Sequence, residues 1–348
     1  MPAATAKTAT TQYDYPFADV PADGSTIAVA PGVHWHRLPL PFELTHINVW
    51  VLEDNDALTL VDTGIRGGHT QQRWQQVIDT FDGKRPSRLL VTHMHPDHVG
   101  SAGWLCEHYD IPLGMTRAEY LMCRVLTADT SPPPPIAFQY YRAAGFDDDA
   151  LGRYAKMFGG FGKACDPLPP SYDRLSAGQT LSINGVDWEV VIGSGHSPEH
   201  ACLYAPALNV VISGDQILPT ISSNVSVWPT EPNANPLAEW LDSCRRLRDS
   251  LPADVLVLPS HGKPFVGAHK RLTALIDEHE VALERLRLHC REPRRAIDVF
   301  PALFRSDVGA GSMTLATGEA IAHLNFLVDA ALLQTFVDDD GIRWYQAI

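Results

Sequence analysis

Three histidines and one aspartate fall within six positions of the stretch Thr92-His93-Met94-His95-Pro96-Asp97-His98. Neutral imidazole nitrogens and carboxylate oxygens are zinc ligands, approaching the ion at roughly 2.0–2.2 Å. His93 and His95 are two apart, so on a strand they point to one side. Pro96 blocks regular continuation, and Asp97 and His98 then come from the turn that follows. This spacing can present two imidazoles to one ion, and a carboxylate and a third imidazole to a second. It is half a site, and the missing ligands must come from other parts of the chain.

Three apolar runs end in candidates of the right type. Trp188 to Ile192 leads into Gly193-Ser194-Gly195-His196-Ser197-Pro198, Val210 to Ile212 into Ser213-Gly214-Asp215, and Val255 to Leu258 into Pro259-Ser260-His261-Gly262. Metal and catalytic groups commonly sit in loops at strand ends, and glycine lets the backbone turn sharply there. One such coincidence is weak, but three of them beside the histidine cluster are strong. A lone histidine is better read as a surface or core residue, and His34, His36, His69, His108, His269, His279, His289 and His323 are so read. Glu199 and His200 lie near His196, and each has a supporting role as well as a purely structural one open to it.

The elements that must carry these residues follow from periodicity. Residues 26–64 read as strands with turns, including a hairpin of Ile47 to Leu52 with Leu58 to Val61, which enters Asp62-Thr63-Gly64. His69 to Phe81 reads as a helix, and a strand at Leu89 to Thr92 runs into the histidine cluster. Residues 112–172 read as a helical insertion. Its aromatics (Phe138, Tyr140, Tyr141, Tyr154, Phe158, Phe161) either line a pocket or, the better reading for any single one, pack it onto the body. The loop Leu218 to Pro236 carries four prolines and is long enough to be functional. Leu237 to Leu251 is an amphipathic helix. After residue 267 helices dominate, at Arg271 to His289, Ala296 to Phe304 and Thr317 to Phe336, before a terminal β element at Ile342 to Tyr345. The expected organisation is a flexible lead-in at 1–25, a catalytic domain at 26–267 with the insertion 112–172 over the site, and a helical, winged-helix-like subdomain at 268–348.

Composition narrows the function. The chain has 348 residues, 45% of them apolar, enough for a sizeable core. Its formal net charge of −14 comes without a basic stripe, which argues against nucleic acid as partner. The six cysteines are widely spaced with no Cys-x-x-Cys, so neither a disulfide framework nor a thiolate zinc site is expected. That suits a reducing, cytoplasmic location. No apolar h-region begins the chain and no run of about 18 apolar residues follows, so neither a secretory signal nor a membrane span is expected.

His93-Met94-His95-Pro96-Asp97-His98, Gly195-His196, Gly214-Asp215 and Ser260-His261-Gly262, in that order, resemble the metallo-β-lactamase superfamily. Val61-Asp62-Thr63-Gly64 is similar to its early strand-turn motif. The resemblance covers about residues 26–267 and implies an α/β (α+β) fold, an αββα sandwich with metals at one edge. It assigns His93, His95 and His196 to one metal and Asp97, His98 and His261 to another, with Asp215 bridging and Asp62 supporting from behind. It implies two zinc ions per chain, with iron or manganese as alternatives. The helical insertion and C-terminus resemble glyoxalase II-like and thioesterase-like hydrolases in architecture.

Two such metals lower the pKa of bound water to about 7 and polarise a carbonyl or phosphoryl oxygen. Asp97, beside the nucleophile, would orient it or take a proton. The expected activity is hydrolysis of a small ester-like substrate (thioester, lactone or related acyl compound), with a homodimer as the candidate assembly. Two alternatives stand beside it. One is a mononuclear iron persulfide dioxygenase using His93, His196 and Asp215. The other is a non-enzymatic ligand-binding regulator on the same fold. His95 disfavours a redox diiron role, because the diiron flavoproteins of the superfamily have a carboxylate there.

Overall fold

The computed structural model of the chain describes residues 13–41, 44–130 and 132–348. Residues 1–12 of the expected lead-in lie outside them. The next part of that lead-in is tied to the body: the Tyr13 ring lies 5.2 Å from that of Phe265, and Asp14 pairs with Val266.

Two sheets lie face to face. The first contains, in order, β1 (Ile27–Ala30), β2 (Val33–Pro39), β3 (His46–Asp54), β4 (Ala57–Val61), β5 (Arg85–Leu90), β6 (Leu113–Thr116) and β7 (Asp173–Leu175). Its first four strands are antiparallel and its last four parallel, with β4 common to both runs. The second contains β8 (Thr180–Ile183), β9 (Val186–Gly193), β10 (His200–Ala205), β11 (Val210–Gly214), β12 (Leu256–Pro259) and β13 (Phe265–Val266), with only β11 and β12 parallel.

Apolar runs such as that of β3 arise because both of its faces are covered. Ile47, Val49 and Val51 pack with Trp74 of α1 (Gly68–Ile78) and, past the short α2 (Pro96–Val99), with Leu105 of α3 (Ala102–Tyr109). Trp50 and Leu52 face the other sheet and meet Trp188, Val190, Leu203 and Ile212. Burying each such side chain contributes about 1.5–3 kcal/mol.

From Thr116 the chain leaves the first sheet for α4 (Arg117–Ala128), α5 (Pro135–Ala143), α6 (Asp148–Met157) and α7 (Gly160–Ala164), and it returns at Asp173. The expected helical stretch 112–172 thus begins with a strand, β6, which is too short to show a period. Tyr141, Phe146, Leu151 and Tyr154 form a separate small core with Phe138, Tyr140 and Phe158 packed on it, while Phe161 packs towards the first sheet. The insertion's aromatics therefore hold it together and onto the body.

The outer face of the second sheet is covered by α8 (Pro236–Ser250), α9 (Ala268–His289) and α11 (Met313–Asp329), with the single turn α10 (Phe300–Leu303) between the last two. The hairpin β14 (Leu333–Val337) and β15 (Arg343–Ala347) ends the chain. The helix expected over 317–336 stops at Asp329. Ala331 adopts φ 56°, and its N–H and that of Leu332 donate back to Val328 and Leu327, which caps the helix. No glycine marks this stop and the apolar pattern runs through it, so periodicity alone overshoots. No helix among the described residues is long and apolar enough to cross a membrane.

Candidate metal centre

The seven candidate ligands come together where β5, β9, β11 and β12 end. Here β5 stops at Leu90, so His93 and His95 lie in a loop rather than on a strand. Their convergence comes from the loop's fixed shape instead of strand alternation. Pro96 opens the first turn of α2 and so presents Asp97 and His98. Cross-sheet hydrogen bonds hold the loops together: Ala201 N–H donates to the Thr92 carbonyl at 2.8 Å, and Asn48 N–H to that of Ser260 at 2.7 Å.

Two donor groups adjoin. In the first, His95 Nδ1 lies 2.9 Å from His93 Nε2 and 3.0 Å from His196 Nε2, and the last two are 3.3 Å apart. In the second, Asp97 Oδ2 lies 3.3 Å from His261 Nε2 and 3.7 Å from His98 Nε2. Asp215 spans them. Its Oδ2 is 3.4 Å from His196 Nε2, and its Oδ1 is 3.4 Å from His98 Nε2 and 3.5 Å from His261 Nε2.

The outer nitrogens set the tautomers. His196 Nδ1 donates to the Asn224 carbonyl at 2.7 Å, and His261 Nδ1 to that of His46 at 2.8 Å. His98 Nδ1 donates to Asp62 Oδ2 at 2.8 Å. Asp62 also accepts from the Thr92 N–H and hydroxyl at 2.8–3.0 Å, which leaves the Thr92 oxygen to accept from His93 Nδ1 at 3.1 Å. Four Nε2 lone pairs therefore point inward, the arrangement that outer partners give metal-bound histidines.

Electrostatics fit the same purpose. Burial pushes His93 well below its ordinary value and His95 to about 3, keeping both neutral. Burial would also lower His98 and His261, but the facing carboxylates outweigh it and raise both. Burial would raise Asp97, but His98 and His261 hold it at about 2. The residues fit a bound metal cofactor. His98 Nε2, His261 Nε2 and Asp215 Oδ1 are buried with no hydrogen-bond partner. Leaving such atoms unpaired costs about 1–3 kcal/mol each. The His93 and His196 Nε2 lone pairs also face one another with no proton between them, so an electrophile is what suits the gap.

Three further residues, which spacing alone does not place, lie behind these groups. His200 is fully buried, stacks on His93 at 4.7 Å and accepts from Asp215 N–H at 3.1 Å. It lies so close that a Cβ on Gly214, at φ 51°, would come within 2.4 Å of its Nε2. Glu199 accepts from Ala118 N–H at 2.9 Å at the start of α4, away from the donor groups. Glu119, on the buried stripe of α4, accepts from Met94 N–H at 2.9 Å and Glu199 N–H at 2.8 Å. It thereby joins the loop of His93 and His95 to that of His196. A charged residue on an apolar helix stripe was the available signal.

Residues 43–261 match the metallo-beta-lactamase superfamily, and residues 283–348 match the metallo-beta-lactamase-like C-terminal domain. The chain belongs to the metallo-β-lactamase superfamily. A beta-lactamase domain protein from Burkholderia ambifaria is 43% identical, with 97% of this chain and 98% of that one covered at a TM-score of 0.89. A metallo-beta-lactamase family protein from Thermus thermophilus shares the fold at 21% identity and a TM-score of 0.77, with 92% and 100% covered. The "probable metallo-hydrolase YqgX" of Bacillus subtilis (strain 168) is 25% identical over 230 residues, 66% of this chain and 90% of that protein. Superfamily membership and the His/Asp donor groups together support a metal-dependent, hydrolase-like class.

Proposed function

We propose that the chain is a hydrolase with two zinc ions, acting on a small acyl substrate such as a thioester, a lactone or a related ester. His93, His95 and His196 would hold one ion, Asp97, His98 and His261 the other, and Asp215 both. The observation that carries the reading is Asp215, whose two oxygens each face a different donor group. When bound, two such ions supply a water of lowered pKa and polarise the carbonyl.

The chain's own residues supply the rest. Asp97 is ionised and 18% exposed, the carboxylate at the mouth of the second group. It orients a water and takes its proton as the water oxygen adds to the carbonyl carbon. The acyl–heteroatom bond then breaks, and the proton taken by Asp97 passes to the leaving group. Asp62 keeps His98 in one tautomer and Glu119 keeps the histidine loop in place. The acidic charge supports a small substrate over nucleic acid, and six buried free cysteines support a reducing, cytoplasmic setting. The second donor group weighs against a single-iron dioxygenase, which would leave Asp97, His98 and His261 unused.

The test is a panel of acyl thioesters, lactones, β-lactams and phosphodiesters, run with elemental analysis and an Asp215→Ala control. Two zincs per chain and metal-dependent acyl hydrolysis are expected. One iron per chain, or turnover of phosphodiesters alone, would overturn the reading.

A further inference from the structure

The loop 221–227 carries the partner of His196 and is gripped from outside the superfamily's central sandwich. The Asn224 carbonyl accepts from His196 Nδ1, and the Asn224 side chain is itself held at both ends. Its Nδ2 donates to Glu319 Oε2 at 2.8 Å, and its Oδ1 accepts from Ser226 Oγ at 2.6 Å. Beside it, Val227 N–H donates to the Gly318 carbonyl at 3.1 Å. The contact needs a glycine, because a Cβ at 318 would lie 2.8 Å from Ser226 Cβ and Oγ.

Glu319 and Gly318 belong to α11. The next turn of that helix holds the loop's other end. His323 Nδ1 donates to the Glu319 carbonyl at 2.8 Å, which turns His323 Nε2 to His279 Nδ1 at 3.2 Å. His279 Nε2 in turn meets Ser222 Oγ at 3.4 Å. The adjacent Ser223 hydroxyl donates to the carbonyl of Asp215. One helix of the C-terminal subdomain thus touches, through one intermediary or a short chain of them, two of the candidate ligands.

Glu319 is only 4% exposed. A buried carboxyl that accepts from one amide is an expensive way to fill space. An apolar residue would pack α11 as well, but it could not fix the rotation of the Asn224 side chain. We propose that Glu319 is a positioning residue for the metal centre, fixing through Asn224 the carbonyl that orients His196, so that the C-terminal subdomain is part of the site. The inference rests on the metal-centre reading but not on any substrate. Outer partners of this kind typically contribute 10–100-fold in metal affinity.

The test uses the full chain, stripped and reloaded, without substrate. Zinc affinity is measured by competition with a chromophoric chelator, and the cobalt(II) absorption spectrum reports the ligand geometry. Glu319→Ala and Asn224→Ala are each expected to weaken one of the two ions about 10–100-fold and to shift the cobalt spectrum. Glu319→Gln, which keeps the acceptor oxygen, is expected to restore both. If Glu319→Ala does not fold, Asn224→Ala carries the decision. Wild-type affinity with an unchanged spectrum in the folded alanine variants overturns the proposal while leaving the metal centre intact. A wild-type chain that takes up no metal overturns both.

Discussion

Asp215 and His196 face each other across 3.4 Å, through the carboxylate oxygen that is not turned towards His98. Removing that carboxylate therefore strips a donor from both groups at once. Asp215→Ala is expected to bind fewer than two metals per chain. Asp97→Asn, which alters the second group alone, is expected to weaken only the ion of that group and to lose about 10²–10⁴-fold in turnover, as for a missing proton acceptor. The affinities of the two ions, measured separately, distinguish the variants, and an Asp215→Ala chain that weakens only one of them would contradict the bridging role.

Asp62 accepts from His98 Nδ1 and from Thr92. Asp62→Ala leaves those buried donors unpaired, at about 1–3 kcal/mol each. It also frees the His98 tautomer, so metal affinity is expected to fall about 10–100-fold. Denaturant unfolding and chelator competition on the same samples check both effects.

Glu119 joins the loops of His93 and His196 through two backbone N–H groups. Glu119→Ala is expected to destabilise the fold by about 1–3 kcal/mol for each orphaned N–H. Glu119→Gln, retaining an acceptor oxygen, should lose less. Urea unfolding at unchanged m-value is the measurement, and near-equal stability of the alanine variant would remove Glu119 as a brace.

The donor groups should also make stability depend on pH. Asp97 is held at about 2 rather than 3.8, so its contribution is present above pH 3.8 and lost as pH falls through the lower value. His98 is held well above 6.5, so its contribution is present below pH 6.5 and lost as pH rises through the raised value. The chelated protein is expected to gain most from this cluster between pH 3.8 and 6.5. Metal binding needs these imidazoles deprotonated, so loading releases protons and its stabilisation grows with pH. Tm with and without zinc at acidic and mildly alkaline pH checks this, and a difference independent of pH would count against His98 as a ligand.

The sequence by itself determined which residues could meet. Metal-binding types beside glycine at the ends of apolar runs are local features, so His93, His95, Asp97, His98, His196, Asp215 and His261 were all legible, while the fold with two covered sheets came through the family resemblance that these motifs carry. Tertiary structure decided how they are held. That His93 and His95 sit in a loop depends on β5 ending at Leu90, a choice made by pairing with its neighbours. That α11 ends at Asp329 depends on a backbone cap at Ala331 which no residue type announces. The supports of the centre lie far along the chain from what they support. Glu119 reaches a backbone 80 residues away at Glu199, and Glu319 reaches Asn224 across 95. A buried carboxyl group carries no mark in the sequence of which distant N–H it will accept from, because only the packing of α4 and α11 against the loops brings donor and acceptor within reach.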